Sequence, residues 1–188
     1  MQIRKRTIWH VFLLALCIPL VFLFWIREMQ FFKVPSNSME PTIRPNDYIL
    51  TLSHKQYRRG DVVVLKDPQQ EGGYLVKRIV GLPDDAISVF GGGLFLNGSY
   101  VSEPYRHEFI DYTMPPYTVG EDEFFVLGDN ANWSVDSHNW SGDPENWSPE
   151  TVRGIPKDSI VGRVHFIYLP WSRRGMVRPY PLTNLRGE

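Results

Sequence analysis

Two residues able to do covalent chemistry stand apart by their surroundings, Ser38 and Lys77. Ser38 sits in Pro35-Ser36-Asn37-Ser38-Met39-Glu40-Pro41-Thr42, a serine between prolines with apolar Met39 beside it, shortly after a long apolar run. Taken alone, the stretch fits a linker as well as a nucleophile loop. In Tyr74-Leu75-Val76-Lys77-Arg78-Ile79-Val80, a period of two puts Leu75, Lys77 and Ile79 on one strand face and Val76, Arg78 and Val80 on the other. A free lysine has a pKa near 10.4, so on the order of one amine in a thousand or fewer is uncharged at neutral pH, and only that form accepts a proton from serine. Apolar burial disfavours the ammonium and lowers its pKa by as much as ~3–5 units. A strand-borne lysine among aliphatics is where such a base can arise. The same alternation also fits an edge-strand lysine whose stem lies on the sheet while its ammonium reaches water. Lys5, Lys33, Lys55, Lys66 and Lys157 fall in polar or irregular stretches or at a strand end.

Other chemistries find little support. There is no Gly-x-Ser-x-Gly nucleophile elbow. Cys17 is the only cysteine, which excludes an internal disulfide, a cysteine zinc site and an iron–sulfur cluster. His10, His54, His107, His138 and His165 show neither helical spacing nor a His-Glu-x-x-His pattern, so no metal and no cofactor is expected. A formal charge of -1 gives no field to hold a nucleic acid.

The elements that must position these residues begin with the apolar run 8–26, carrying Trp9 and Trp25 near its ends and interrupted by His10 and Pro19. At about 1.5 Å per residue it spans just under ~30 Å, close to the hydrocarbon thickness of a bilayer. Arg4, Lys5 and Arg6 crowd its N-terminal side, which keeps that side cytoplasmic. A cleaved signal peptide competes with this reading, but Arg27-Glu28-Met29-Gln30-Phe31-Phe32-Lys33 offers no small-x-small cleavage site. The organisation read here is a cytoplasmic N-terminus over 1–7, a transmembrane helix over 8–26 and an extracytoplasmic domain over 27–188.

Aromatic residues make up 14% of the chain, with 15 Gly and 15 Pro, which favours short strands and many turns. After an irregular stretch over 33–45, strand character appears at 48–52, 61–65, 74–80, 124–127 and 160–169. Residues 86–101 read as a hairpin ribbon with an Asn97-Gly98 turn. The tail from Pro170 is Pro- and Arg-rich with little periodicity. Asn-Trp-Ser recurs at Asn132, Asn139 and Asn146; it reads either as coincidence in a polar aromatic loop or as Trp140 or Trp147 dipping into a lipid interface.

Together these residues resemble the type I signal peptidases, membrane-bound serine proteases of the Ser-Lys dyad class. The likeness is carried by Ser36-Asn37-Ser38-Met39-Glu40-Pro41-Thr42, by Gly60-Asp61-Val62-Val63-Val64, by Lys77-Arg78-Ile79-Val80-Gly81-Leu82-Pro83-Asp84-Asp85 and by Gly128-Asp129-Asn130-Ala131-Asn132-Trp133-Ser134-Val135-Asp136-Ser137-His138. The resemblance implies an all-β catalytic domain with a small β-ribbon insertion over 86–123, preceded by one N-terminal transmembrane helix. It also implies that Ser38 attacks the scissile carbonyl while neutral Lys77 serves as general base and later protonates the leaving amine. The Ser38 N–H and the Ser36 hydroxyl would form the oxyanion hole. Ser134 would orient the Lys77 amine, and Asp129 would pair with Arg78 as structural support.

The implied substrates are signal-peptide-bearing pre-proteins, cut after small residues in an Ala-x-Ala pattern. The implied location is a bacterial cytoplasmic membrane or an organelle membrane, with lipid as a partner and Phe31, Phe32 and Met39 available to seat the domain on it. A dedicated client such as a conjugative pilin, and a non-catalytic membrane-tethered β binding module, are the alternatives. Two positions depart from the family pattern. Asp84 stands where Gly is usual, in a turn that Asp tolerates because it accepts positive φ better than most residues. His138 stands where Arg is usual, so its expected pair with Asp136 is weaker once the imidazole loses its charge, ordinarily near a pH of ~6.5.

Overall fold

The computed structural model of the chain describes residues 28–140 and 149–182, together with 9, 10, 13, 15–17 and 19 of the N-terminal stretch. Those N-terminal residues are helical. The run 8–26 and Trp147 otherwise lie outside the described residues, and among the described residues no helix is long and apolar enough to cross a membrane. The chain divides into a unit over residues 1–30 and a unit over 31–188.

The second unit is built from short strands. Val62–Lys66 (β3) reads Val-Val-Val-Leu-Lys with its four apolar residues all buried, as a strand covered on both faces must be. It lies between Tyr74–Gly81 (β4) and the ten-residue Ile160–Leu169 (β11). β11 also pairs with Tyr48–Leu52 (β2), which pairs in turn with Met29–Lys33 (β1). On the other side β4 pairs with Glu123–Leu127 (β9), and β9 with the short Ile155–Pro156 (β10). The sheet order is β1-β2-β11-β3-β4-β9-β10, and Gly175–Met176 (β12) adds to β11. The sheet curls until Phe32 of β1 meets Tyr74 of β4, with ring centroids 5.2 Å apart.

A second sheet, order β7-β6-β5-β8, is formed by Ala86–Phe90 (β5), Gly93–Leu96 (β6), Ser99–Tyr100 (β7) and Met114–Thr118 (β8). It falls within residues 86–123. Asn97 and Gly98 take φ of 52° and 77°, as a tight hairpin turn demands. Asp84 takes φ of 69°, so the turn with Asp in place of Gly is formed.

Two five-residue strands without an alternating signal, β1 and β8, have physical reasons for escaping it. β1 continues directly from the apolar run and reads as its flank. β8 contains Pro115 and Pro116, which disqualify a central strand, but it pairs only with β5 and so lies at an edge where missing amides cost nothing. Two expectations about lipid contact are corrected. Trp140 is buried among Val63, Leu65, Ile79 and Phe124, and its indole donates to the Arg153 carbonyl at 2.9 Å. Met39 is buried with Val34, Ile43 and Val164. Both residues form part of the core and are closed to lipid.

Candidate active site

The loop that carries Ser38 is tied at its neck, where the Val34 amide donates to the Asp47 carbonyl at 2.9 Å and the Asn46 amide to the Val34 carbonyl at 2.8 Å. Inside it the Ile43 amide donates to the Met39 carbonyl at 2.9 Å. Met39 and Ile43 anchor this turn in the apolar cluster, which fixes Ser38 at the rim.

Ser38 and Lys77 come together. The Lys77 Nζ donates to the Ser38 Oγ at 2.9 Å, and Lys77 is only 2% exposed. Burial lowers the Lys77 pKa, opposed by the charges of Asp136, Asp67 and Asp129. The Ser36 hydroxyl, exposed to solvent, stands 3.4 Å from the Ser38 Oγ. β4 delivers Lys77 on the face that its alternation assigns, opposite Val63 on β3. Arg78 leaves by the other face and forms a two-pronged pair with Asp129, each contact 2.7 Å, both side chains fully buried. Its third prong donates to the Gly60 carbonyl at 2.7 Å, and Tyr105 lies 4.1 Å beneath the guanidinium. Asp129 also accepts from the Thr42 hydroxyl at 2.5 Å, which joins it to the nucleophile loop.

Ser134 behaves differently from the expectation. Its hydroxyl is buried without a hydrogen-bond partner and makes no bond to Lys77. It contributes to holding Asp136 ionised, without a well-formed hydrogen bond to it. Asp136 is buried and accepts from the Gly128 amide at 2.8 Å and pairs with the His138 ring at 2.7 Å. Burial alone would raise its pKa; the His138 contact and the Lys77 charge outweigh burial and hold it below the ordinary carboxylate value.

Gly128 is the crossing point. A Cβ there would stand 2.4 Å from the Ser134 Oγ and 2.5 Å from the Ser38 carbonyl oxygen, so only glycine lets these strands of backbone approach. The next turn holds Ser38, the Asn130 amide donating to the Ser38 carbonyl at 3.0 Å.

Three residues of the segment between β7 and β8 complete the frame, and sequence reasoning missed all of them. Arg106 donates to the Gly128 and Asp129 carbonyls at 3.3 and 3.1 Å and to Glu103 at 2.7 Å, while Tyr105 stacks under Arg78. The one signal available was the Glu103-Pro104-Tyr105-Arg106 spacing of opposite charges, common on any surface. Among the described residues no group of three or more His, Cys, Asp or Glu side chains comes together to hold a metal ion.

Comparison with known proteins bears on what this site is for. The family described as "Signal peptidase, peptidase S26" matches residues 5–171. The chain belongs to the signal peptidase family. A signal peptidase I of Leptolyngbya laminosa is 32% identical to it over 160 residues, covering 79% of this chain and 72% of the relative. One of Bacillus amyloliquefaciens is 32% identical over 174 residues, covering 84% and 86%. A probable signal peptidase I-1 of Synechocystis sp. is 28% identical over 196 residues, covering 98% and 92%. A solved signal peptidase I structure from Enterococcus faecalis, 26% identical, covers 59% of this chain and 98% of its own at a TM-score of 0.43, too partial an overlap to add to the assignment. As a member of the signal peptidase family the chain is a peptidase, and its mostly β domain with a curled sheet is the scaffold on which that activity is built.

Proposed function

We propose that the chain is a membrane-anchored serine endopeptidase that removes signal peptides from exported pre-proteins, with Ser38 as nucleophile and Lys77 as general base. The observation that carries the reading is the 2.9 Å contact between the Lys77 Nζ and the Ser38 Oγ, with the amine desolvated. Burial keeps a useful fraction of the amine uncharged. In that form the contact reverses, the serine hydroxyl donating to the nitrogen. As Ser38 Oγ attacks the scissile carbonyl, Lys77 takes the proton, then returns it to the departing amine. The Ser38 amide and the Ser36 hydroxyl stabilise the oxyanion, worth about 3–4 kcal/mol for one donor in comparable sites. Asp136 and the Arg78–Asp129 pair support the loop.

The sheet supplies a place for the substrate backbone. β9 pairs with β4 from Arg78 onward, so among the described residues Tyr74 to Lys77 have a strand neighbour, β3, on one side only. β1, at the end of the sheet order, has a free outer edge and approaches β4 at Phe32 and Tyr74. An extended peptide fits this slot by strand addition and arrives at Ser38. Val34, Met39 and Val76 belong to one packed apolar cluster next to Ser38, surroundings that favour small apolar side chains before the cut and so the Ala-x-Ala pattern. The run 8–26 serves as a single-pass anchor with the N-terminus inside and the peptidase domain outside, in a bacterial cytoplasmic or organelle membrane.

The test is cleavage of a pre-protein in detergent by wild type, Ser38→Ala and Lys77→Ala. Wild type cuts once, after a small residue, and both variants lose activity by about 10⁴-fold or more. Activity retained by either variant overturns the proposal.

A further inference from the structure

Beyond the nucleophile, the path along β4 is closed. Arg78 lies opposite Leu127 of β9, so a peptide laid along the free edge of Tyr74 to Lys77 leaves the sheet at Ser38. It continues over the loop that follows β9. A cleft of about 680 Å³ opens there, between residues 131–139 and the ribbon loop that carries Glu108, Asp111 and Tyr112. Ser134 lines it and also packs, like the Ser38 carbonyl, against Gly128. The cleft therefore begins directly behind the nucleophile.

Its two sides are held at a fixed width. The Asn132 side-chain carbonyl accepts from the Asp111 amide at 3.0 Å, and the Asn132 amide donates to the Phe109 carbonyl at 3.0 Å. One wall is Trp133, 71% exposed, beside Val135. The opposite wall is Tyr112, stacked on His138 with ring centroids 4.0 Å apart. A large aromatic left open in a walled cleft marks a contact surface. Glu108 and Asp111 are exposed on the rim, and neither lysine nor arginine lines the cleft among the described residues. Nearby Arg106 is already paired with Glu103 at 2.7 Å.

We infer that this cleft binds the first residues of the polypeptide following the cut, and that it prefers neutral or basic side chains there over acidic ones. The inference rests on the peptidase reading proposed above. An extended chain offers apolar and backbone surface to Trp133 and Val135, while a carboxylate on its third or fourth residue faces Glu108 and Asp111. Each exposed charge contact is worth up to about fivefold, so the rim selects without excluding.

The experiment uses the full chain in detergent and pairs of peptides identical up to the cut. The members of a pair differ only in carrying Lys or Glu at one of the first four positions after it. Wild type is expected to show a ratio of kcat/KM, Lys over Glu, of about five- to tenfold at one or two of those positions. Glu108→Gln combined with Asp111→Asn brings the ratio to near one at the same positions. Because the ratio compares two substrates in one preparation, it does not depend on the fraction folded. A ratio near one in wild type, or one that persists in the double variant, overturns the cleft assignment while leaving the Ser38–Lys77 reading intact. Failure of that reading looks different: wild type cuts neither peptide, or Ser38→Ala cuts both, and the cleft assignment falls with it.

Discussion

At the scale of single residues, the chemistry and the stability of this domain pull in opposite directions at Lys77. Burial lowers its pKa, so below the ordinary lysine pKa of about 10.4 the unfolded chain binds the proton more readily than the folded one. The buried amine therefore costs stability throughout the neutral range, and the cost fades as pH rises toward that value. Lys77→Met keeps the stem and removes the titrating group. Its melting temperature near neutral pH should exceed that of wild type, with the gap closing toward pH ~10, while peptide cleavage falls by about 10⁴-fold or more. A variant that melts below wild type at neutral pH would show that the Ser38 contact and nearby carboxylates outweigh desolvation. For the same reason wild-type cleavage should rise with pH through the lowered Lys77 pKa. A rate that is flat across the mildly acidic to neutral range would count against a neutral amine as base.

Elements place these residues to within tenths of an ångström, and the turn after β9 does most of that placing. Gly128→Ala puts a methyl group 2.5 Å from the Ser38 carbonyl oxygen. That oxygen is backbone, already held by Asn130, so the nucleophile loop must shift. Misplacement of this order costs about 10²-fold in kcat, and the check is the labelling rate of Ser38 by a covalent serine probe in a sample with unchanged far-ultraviolet dichroism. Arg106 braces the same turn from the ribbon. Arg106→Lys keeps a charge for Glu103 but cannot span two carbonyls and a carboxylate together. It should lower kcat by about tenfold with little change in KM, because the slot along β4 is untouched; a change confined to KM would place Arg106 in substrate binding instead. The strand that carries Lys77 and Arg78 was legible in the sequence, since its period of two assigns each side chain a face. Ser38 was legible only through motif likeness, as no periodicity governs an irregular loop. Glu103, Tyr105 and Arg106 were not legible, because their roles arise from contacts between segments far apart in sequence. Ser134, expected at Lys77, instead packs at Gly128; which neighbour a short hydroxyl meets depends on turn geometry that spacing does not encode.

For the whole molecule, two groups of contacts, one half-buried and one buried, set how it answers acid. One lies where the loop after β2 meets β11. His54 and His165 share an Nε2 to Nε2 hydrogen bond of 2.8 Å, and the Arg163 Nε donates to the His165 Nε2 at 3.3 Å. His165 must therefore accept at Nε2, which requires its own ring to be neutral, and His54 donates. Burial first, then the Arg163 charge, lowers both pKa values, with Asp61 opposing. Folded values below the unfolded value of about 6.5 mean that this contribution is full above that pH and is lost as pH falls through the lowered values. The other group is Asp136, whose lowered pKa makes its contribution present above pH ~4 and lost below it. Stability should thus fall in two pH windows, one below about pH 6.5 and another below about pH 4. Replacing both imidazoles, His54→Gln with His165→Gln, keeps a donor and an acceptor in place but removes the titration. Urea midpoints taken between pH ~7 and ~5 should then become level, while the fall below pH ~4 remains. If the double variant keeps the wild-type slope over the upper range, the histidine pair is not its source, and the upper window belongs to other groups on the sheet.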